Sequence, residues 1–142
     1  MPLTGVVALR GKIVHDDGET ILAGSWAKDR KELLKEGGYT EQFKYENICG
    51  SDKDLSGRYD GSFKYGGTDV VDNLVLSFEP NNRGGCNVTG SGVNVFGSFD
   101  IQGIEQGGVI DMCRTYPHAV IDTQQAPVGT YYVCETLRLY SL

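Results

Sequence analysis

From residue 57 to residue 116 the chain repeats one pattern: short runs of alternating apolar and polar residues, punctuated by glycine. Between Gly57 and Tyr65, the residues Tyr59, Gly61, Phe63 and Tyr65 fall on one face of an extended chain. Arg58, Asp60, Ser62 and Lys64 fall on the other. That period of two belongs to a strand with one buried and one wet side. Leu74, Leu76 and Phe78 repeat it, as do Val95, Gly97, Phe99 and Ile101. Inward-facing glycines are expected where such strands bend sharply or bulge. Turn signals at Gly66-Gly67, Asn81-Asn82-Arg83-Gly84-Gly85 and Gln106-Gly107-Gly108 separate the runs. The stretch therefore implies consecutive antiparallel strands in a strongly coiled sheet. It constrains architecture and leaves chemistry open.

The flanking regions extend the same plan. Residues 6–14 and 20–26 read as a hairpin around Asp16-Asp17-Gly18. Residues 28–36 follow as the one convincing helix, with Asp29 and Glu32 in capping-box spacing and Gly37-Gly38 as its stop. It is short and mostly charged, suited to lie across a barrel end or flank an open edge. Residues 40–48 form a strand carrying Phe43 and Tyr45 inward. Residues 86–92 and 95–103 are two strands or one kinked strand, 109–116 another, and 130–140 the last. The reading is all-β: a single up-and-down antiparallel barrel of eight to ten strands with one short helix, occupying residues 1–142 as one domain. Closure would remove the exposed strand edges that an open sheet carries.

Nineteen acidic against 13 basic residues leave a net charge of −6. Phosphate-backbone binding depends on clustered Lys and Arg, so nucleic acid is not expected as a partner. No apolar run approaches a membrane span and no signal peptide opens the chain, which reads as intracellular and cytoplasmic. The cysteines Cys49, Cys86, Cys113 and Cys134 are scattered without paired spacing. They read as buried reduced thiols. Strands 109–116 and 130–140, if neighbours, would bring Cys113 toward Cys134, and even there both are expected reduced.

Motifs for catalysis are thin. His15 and His118 sit in no nucleophile, metal or phosphate motif, and pairing Asp100 with Asp111 is arbitrary among so many acids. No catalytic residue, metal site or cofactor is assigned. Asp52, Asp54 and Ser56 before Gly57, with Asp60 beyond, match the opening of a calcium-binding EF-hand loop. Phe63 stands where the bidentate glutamate belongs, so a solvated acidic turn is expected. Asn87-Val88-Thr89 is a glycosylation acceptor triplet, read as plain strand residues. Eight tyrosines dominate the aromatics. Tyr131 and Tyr132, if in a strand, face opposite ways, leaving one outward as a contact point.

Two short patterns bear on ligands. Gly24-Ser25-Trp26, running at once into a helical segment, resembles the Gly-x-Trp signature of calycin barrels: lipocalins, avidins and fatty-acid-binding proteins. Arg138-Leu139-Tyr140 is similar to the terminal Arg-x-Tyr of fatty-acid-binding proteins. The resemblance implies a carrier of an apolar carboxylate, with Trp26, Arg114, Arg138 and Tyr140 as ligand-binding residues. A guanidinium and a phenol inside an apolar cavity can receive a carboxylate. The chain departs from the pattern in placing Trp26 after a complete extra hairpin and in having one tryptophan. The alternative is that Trp26 merely plugs one barrel end and Arg138 faces solvent. The inward glycines and aromatics imply a filled interior. The expectation is thus a non-enzymatic binding module that engages a protein partner. A calycin-like carrier is the second reading and an enzyme at the barrel mouth the third.

Overall fold

A computed structural model describes residues 5–48 and 55–117. Eight strands appear in order: β1 (Val6–Asp16), β2 (Glu19–Ala27), β3 (Glu41–Asn47), β4 (Gly57–Tyr65), β5 (Thr68–Pro80), β6 (Cys86–Asn94), β7 (Gly97–Gln106) and β8 (Val109–Thr115). Each pairs antiparallel with the next, and β1 pairs with β8, from Val6 opposite Thr115 to Lys12 opposite Val109. The result is a closed up-and-down barrel, as the alternation predicts.

Local chemistry makes the hairpins. Asp17 and Gly18 both have positive φ, 49° and 80°, as a type I′ turn requires, and Gly66-Gly67 and Gly107-Gly108 repeat the geometry. Their twist matches that of the flanking strands. Val95 and Phe96 form the β6–β7 turn, so residues 86–103 are two strands and not one kinked one. Val95 consequently leaves the inward register read for it and stands 81 % exposed. Gly97 likewise serves the turn: its φ is 123°, and a β-carbon built on it would meet nothing within 4 Å.

The other inward glycines answer to a pairing that one strand alone cannot reveal. Gly24 lies opposite Phe43, Gly61 opposite Tyr45, Gly92 opposite Phe99 and Gly103 opposite Met112. A β-carbon built on Gly92 would collide with the Phe99 ring, and one on Gly24 with the backbone of Arg10 and Gly11. Gly92 and Gly103 thus leave room for Phe99 and Met112, whereas Gly24 and Gly61 let the neighbouring backbones approach closely. With Leu22, Tyr59, Phe63, Leu74, Leu76 and Ile101 these aromatics form one core along the barrel axis.

The helix is shorter than the charge pattern suggests. α1 covers Arg30–Leu34, with Asp29 as N-cap accepting from the Glu32 backbone N–H at 2.7 Å. Glu32 does not return that bond. Its carboxylate accepts from Tyr39 N–H, fixing the exit loop instead. α1 packs against β1 and β2. The segment 130–140 lies outside the described residues; the two edges of β8 are taken by β7 and β1. Among the described residues no helix is long and apolar enough to cross a membrane.

Candidate functional site

The inward face of β8 carries Ile110, Met112 and then Arg114, which is 2 % exposed. Alternation forces this: a residue in step with two buried apolar neighbours must also point inward. On β5, Asp72 is in step with Leu74 and Leu76 and is also buried. The two meet inside the barrel. Arg114 Nη1 donates to Asp72 Oδ2 at 2.8 Å, and Arg114 Nη2 donates to the Tyr45 hydroxyl at 2.9 Å. Asn94 Nδ2 donates to Asp72 Oδ2 at 3.0 Å and to the Tyr116 hydroxyl at 2.8 Å. Aromatic rings enclose the guanidinium: its carbon lies 4.2 Å from the Phe99 centroid and 5.1 Å from that of Phe63. Cations are attracted to such ring faces.

Electrostatics set the protonation states. Burial works to lower the Arg114 pKa, but Tyr45, Tyr116 and Asp72 outweigh it and raise it, so the guanidinium stays charged. Asp72, at 2.8 Å, is its counter-charge. Burial pushes the Tyr45 phenol well above its usual range, opposed by Arg114 and assisted by Asp72. Tyr45 is therefore held as the neutral phenol, and the cluster is closed off from solvent. Arg114 Nε and Asp72 Oδ1 remain buried without a hydrogen-bond partner.

Trp26 is also inside, at the end of the barrel formed by the β4–β5 turn. Its indole N–H donates to Lys64 O at 2.8 Å, and its ring meets Phe63 edge-on and stacks on Tyr65. Trp26, Phe63, Arg114 and Tyr116, with Val7 and Leu9, line a cavity of about 10 Å³. That is about the space of one water molecule, against the roughly 300–1,000 Å³ of a site for a drug-sized ligand. Of the four residues assigned from the resemblance, Trp26 and Arg114 thus share one cavity. Arg138 and Tyr140 lie outside the described residues. The alternation missed Asp72, Asn94 and Tyr116 as members of the cluster. The signal for Asp72 was its place two residues before Leu74.

A second cluster lies on the outer side of the same strand. Asp111, 4 % exposed, receives both carboxylate contacts of Arg10 Nη1, at 3.2 and 3.3 Å, and faces Arg30 of α1 at 3.7 Å. Asp100 is opposite Thr115 and Asp111 opposite Ile104, so those two acids form no catalytic pair.

The calcium-loop candidates are not free ligands where they are described. Ser56 Oγ accepts from Phe78 N–H, and Asp60 binds Arg58 at 2.9 Å on β4. Asp52 and Asp54 lie outside the described residues. Cys113, read as a reduced thiol, is disulfide-bonded, whereas Cys86 is free. The spacing argument fails for Cys113 because a disulfide needs proximity in space, which scattered sequence positions do not report. No protein family, curated protein or solved structure that was compared with the chain matches it.

Proposed function

We propose that this barrel is a non-enzymatic binding module that engages a protein partner through its outer surface. One observation carries the reading: Asp72 supplies, from within the chain, the carboxylate that a carrier would take from a ligand. Both terminal nitrogens of Arg114 are engaged, Nη1 by Asp72 and Nη2 by Tyr45, at short distances, and the adjoining space holds about one water. A carrier of an apolar carboxylate needs that arginine unpaired beside a cavity tens of times larger. The same enclosure keeps the polar cluster away from any substrate, which ranks an enzyme below a binding module. Closure also governs how a partner binds. Every described strand is paired along both edges, so strand addition is unavailable and contact must run through outward side chains. The disulfide at Cys113 favours an oxidising compartment over the cytoplasmic location read from the sequence.

Titration of an environment-sensitive fluorescent fatty acid tests the reading. No saturable binding is expected up to about 100 µM, far above the micromolar affinity of a functional carrier. Native mass spectrometry of protein taken from its own source should retain a protein partner and no lipid. Saturable micromolar binding that disappears in Arg114→Met or Arg138→Ala would make the chain a carrier.

A further inference from the structure

Two donors inside the barrel have no acceptor within the protein, and the residues that carry them border the same space. Arg114 Nη1 donates to Asp72 Oδ2 at 2.8 Å and to the Tyr116 hydroxyl at 3.3 Å, and Nη2 donates to the Tyr45 hydroxyl. Nε is the one guanidinium nitrogen left over, and it is buried. Tyr116 carries the second donor. Its oxygen accepts from Asn94 Nδ2 at 2.8 Å and from Arg114 Nη1. The Asn94 amide is fixed in that sense, because its Oδ1 accepts from Phe96 N–H. Both bonds use lone pairs of the phenol oxygen, so the phenolic hydrogen has no acceptor. Arg114 and Tyr116 both line the cavity of about 10 Å³, and Asp72 does not. Val7, Leu9, Trp26 and Phe63 supply the rest of its wall, and all four are buried.

From this we infer that the cavity is the binding site of a single water, which accepts from Arg114 Nε–H and from the Tyr116 hydroxyl. The inference goes beyond the outer-surface partner proposed above and does not depend on it. Chemistry, size and charge select the occupant. The groups left over on the lining residues are donors, so the occupant must be an acceptor. The space matches one water and nothing larger. Arg114 is already neutralised by Asp72 at 2.8 Å, so no net charge calls for an anion. A halide would instead bring an unpaired charge against a largely apolar wall. Two protein partners fall within the range of about two to four that buried waters keep. Energetics favour occupancy as well. Two buried donors left unpaired forfeit their hydration twice, which outweighs the entropy lost on holding one water. A void lined by apolar side chains alone would stay dry, and Arg114 and Tyr116 are what distinguish this one.

A high-resolution crystal structure of the whole chain, grown with sodium bromide present, reads the site directly. One density peak is expected about 2.7–3.2 Å from both Arg114 Nε and the Tyr116 hydroxyl oxygen, without anomalous bromide signal. Val7→Ile adds one methylene to the cavity wall. In that variant the peak should disappear and Tm should fall by a few degrees, because the two donors are then stranded. If Val7→Ile does not fold, Tyr116→Phe serves in its place. The peak should then weaken, since one of its two partners is gone. An empty cavity in wild type, or an anomalous peak inside it, would overturn the proposal. So would a Val7→Ile protein that melts above wild type, because only a dry void gains stability from being filled.

Discussion

Arg114 and Asp111 sit three residues apart on β8, point to opposite sides of the barrel wall, and each belongs to an arginine–aspartate cluster. Both are buried, but the partners they hold differ in their access to water. In the inner pair the side chains are 2 % and 0 % exposed, whereas Arg10 on the outer cluster is 43 % exposed. Removing Asp111 from the outer cluster leaves Arg10 where water can reach it. Removal of Asp72 from the inner pair leaves a charge enclosed by Phe63, Phe99 and Tyr45, with two phenol hydroxyls but no counter-charge or bulk water. Coulomb attraction is similar in form at both places, so the difference lies in what remains after one partner is lost.

The largest effect should therefore follow Asp72→Ala, which strands the Arg114 guanidinium. Urea unfolding is expected to show a loss of about 3–5 kcal/mol. Replacing both members, Asp72→Leu with Arg114→Met, should recover at least half of that loss, since no buried charge then remains. Failure to recover would mean that the bonds to Tyr45, Tyr116 and Asn94 matter more than the charge.

Asp111→Ala should cost less, about 2 kcal/mol, within the range for a lost hydrogen bond to a charged group. An equal cost for Asp72→Ala and Asp111→Ala in the same urea series would break the comparison, because burial would then not be the deciding variable.

Tyr45→Phe removes one donor–acceptor bond to Arg114 and should cost about 1.5 kcal/mol at neutral pH. It also carries a pH signature. Burial raises the folded-state phenol above its ordinary value of 10.0. The folded chain therefore keeps a proton that the unfolded chain releases above about pH 10. This contribution is fully present below pH 10 and is lost as pH rises beyond it. Thermal melts across that range should fall more steeply for wild type than for Tyr45→Phe.

The smallest effect belongs to Arg58→Ala. Its partner Asp60 is 38 % exposed and Arg58 itself 54 %, so the pair should contribute no more than about 1 kcal/mol, decreasing with salt. A larger loss in the same unfolding assay would show that exposure alone does not rank these pairs.

Much of this was legible in the chain. The alternation of Tyr59, Phe63 and Tyr65, the capping spacing at Asp29, and the glycine-bearing turns each encode a local rule. Strands β1 to β8 and α1 follow from them. Arg114 was identifiable as an inward charge for the same reason. Its partner was not, because Asp72 lies 42 residues away and alternation says which side a residue faces, not whom it meets. The same limit explains Val95, where a two-residue shift between strand and turn moves a valine from core to surface. It explains Cys113 as well, since disulfide bonding is a matter of distance.

What the sequence by itself determined is the set of local periods: which residues face in, where the chain turns, and hence a single curved antiparallel sheet of acidic character. Those rest on interactions a few residues long, sterics and hydrophobic alternation, which one chain carries in its own order. Tertiary structure alone decided that the sheet closes β8 onto β1, that Gly92 receives the Phe99 ring from the next strand, and that Asp72 pairs with Arg114. Each of these depends on register between strands, a quantity fixed by the packing of the whole barrel and written in no single segment.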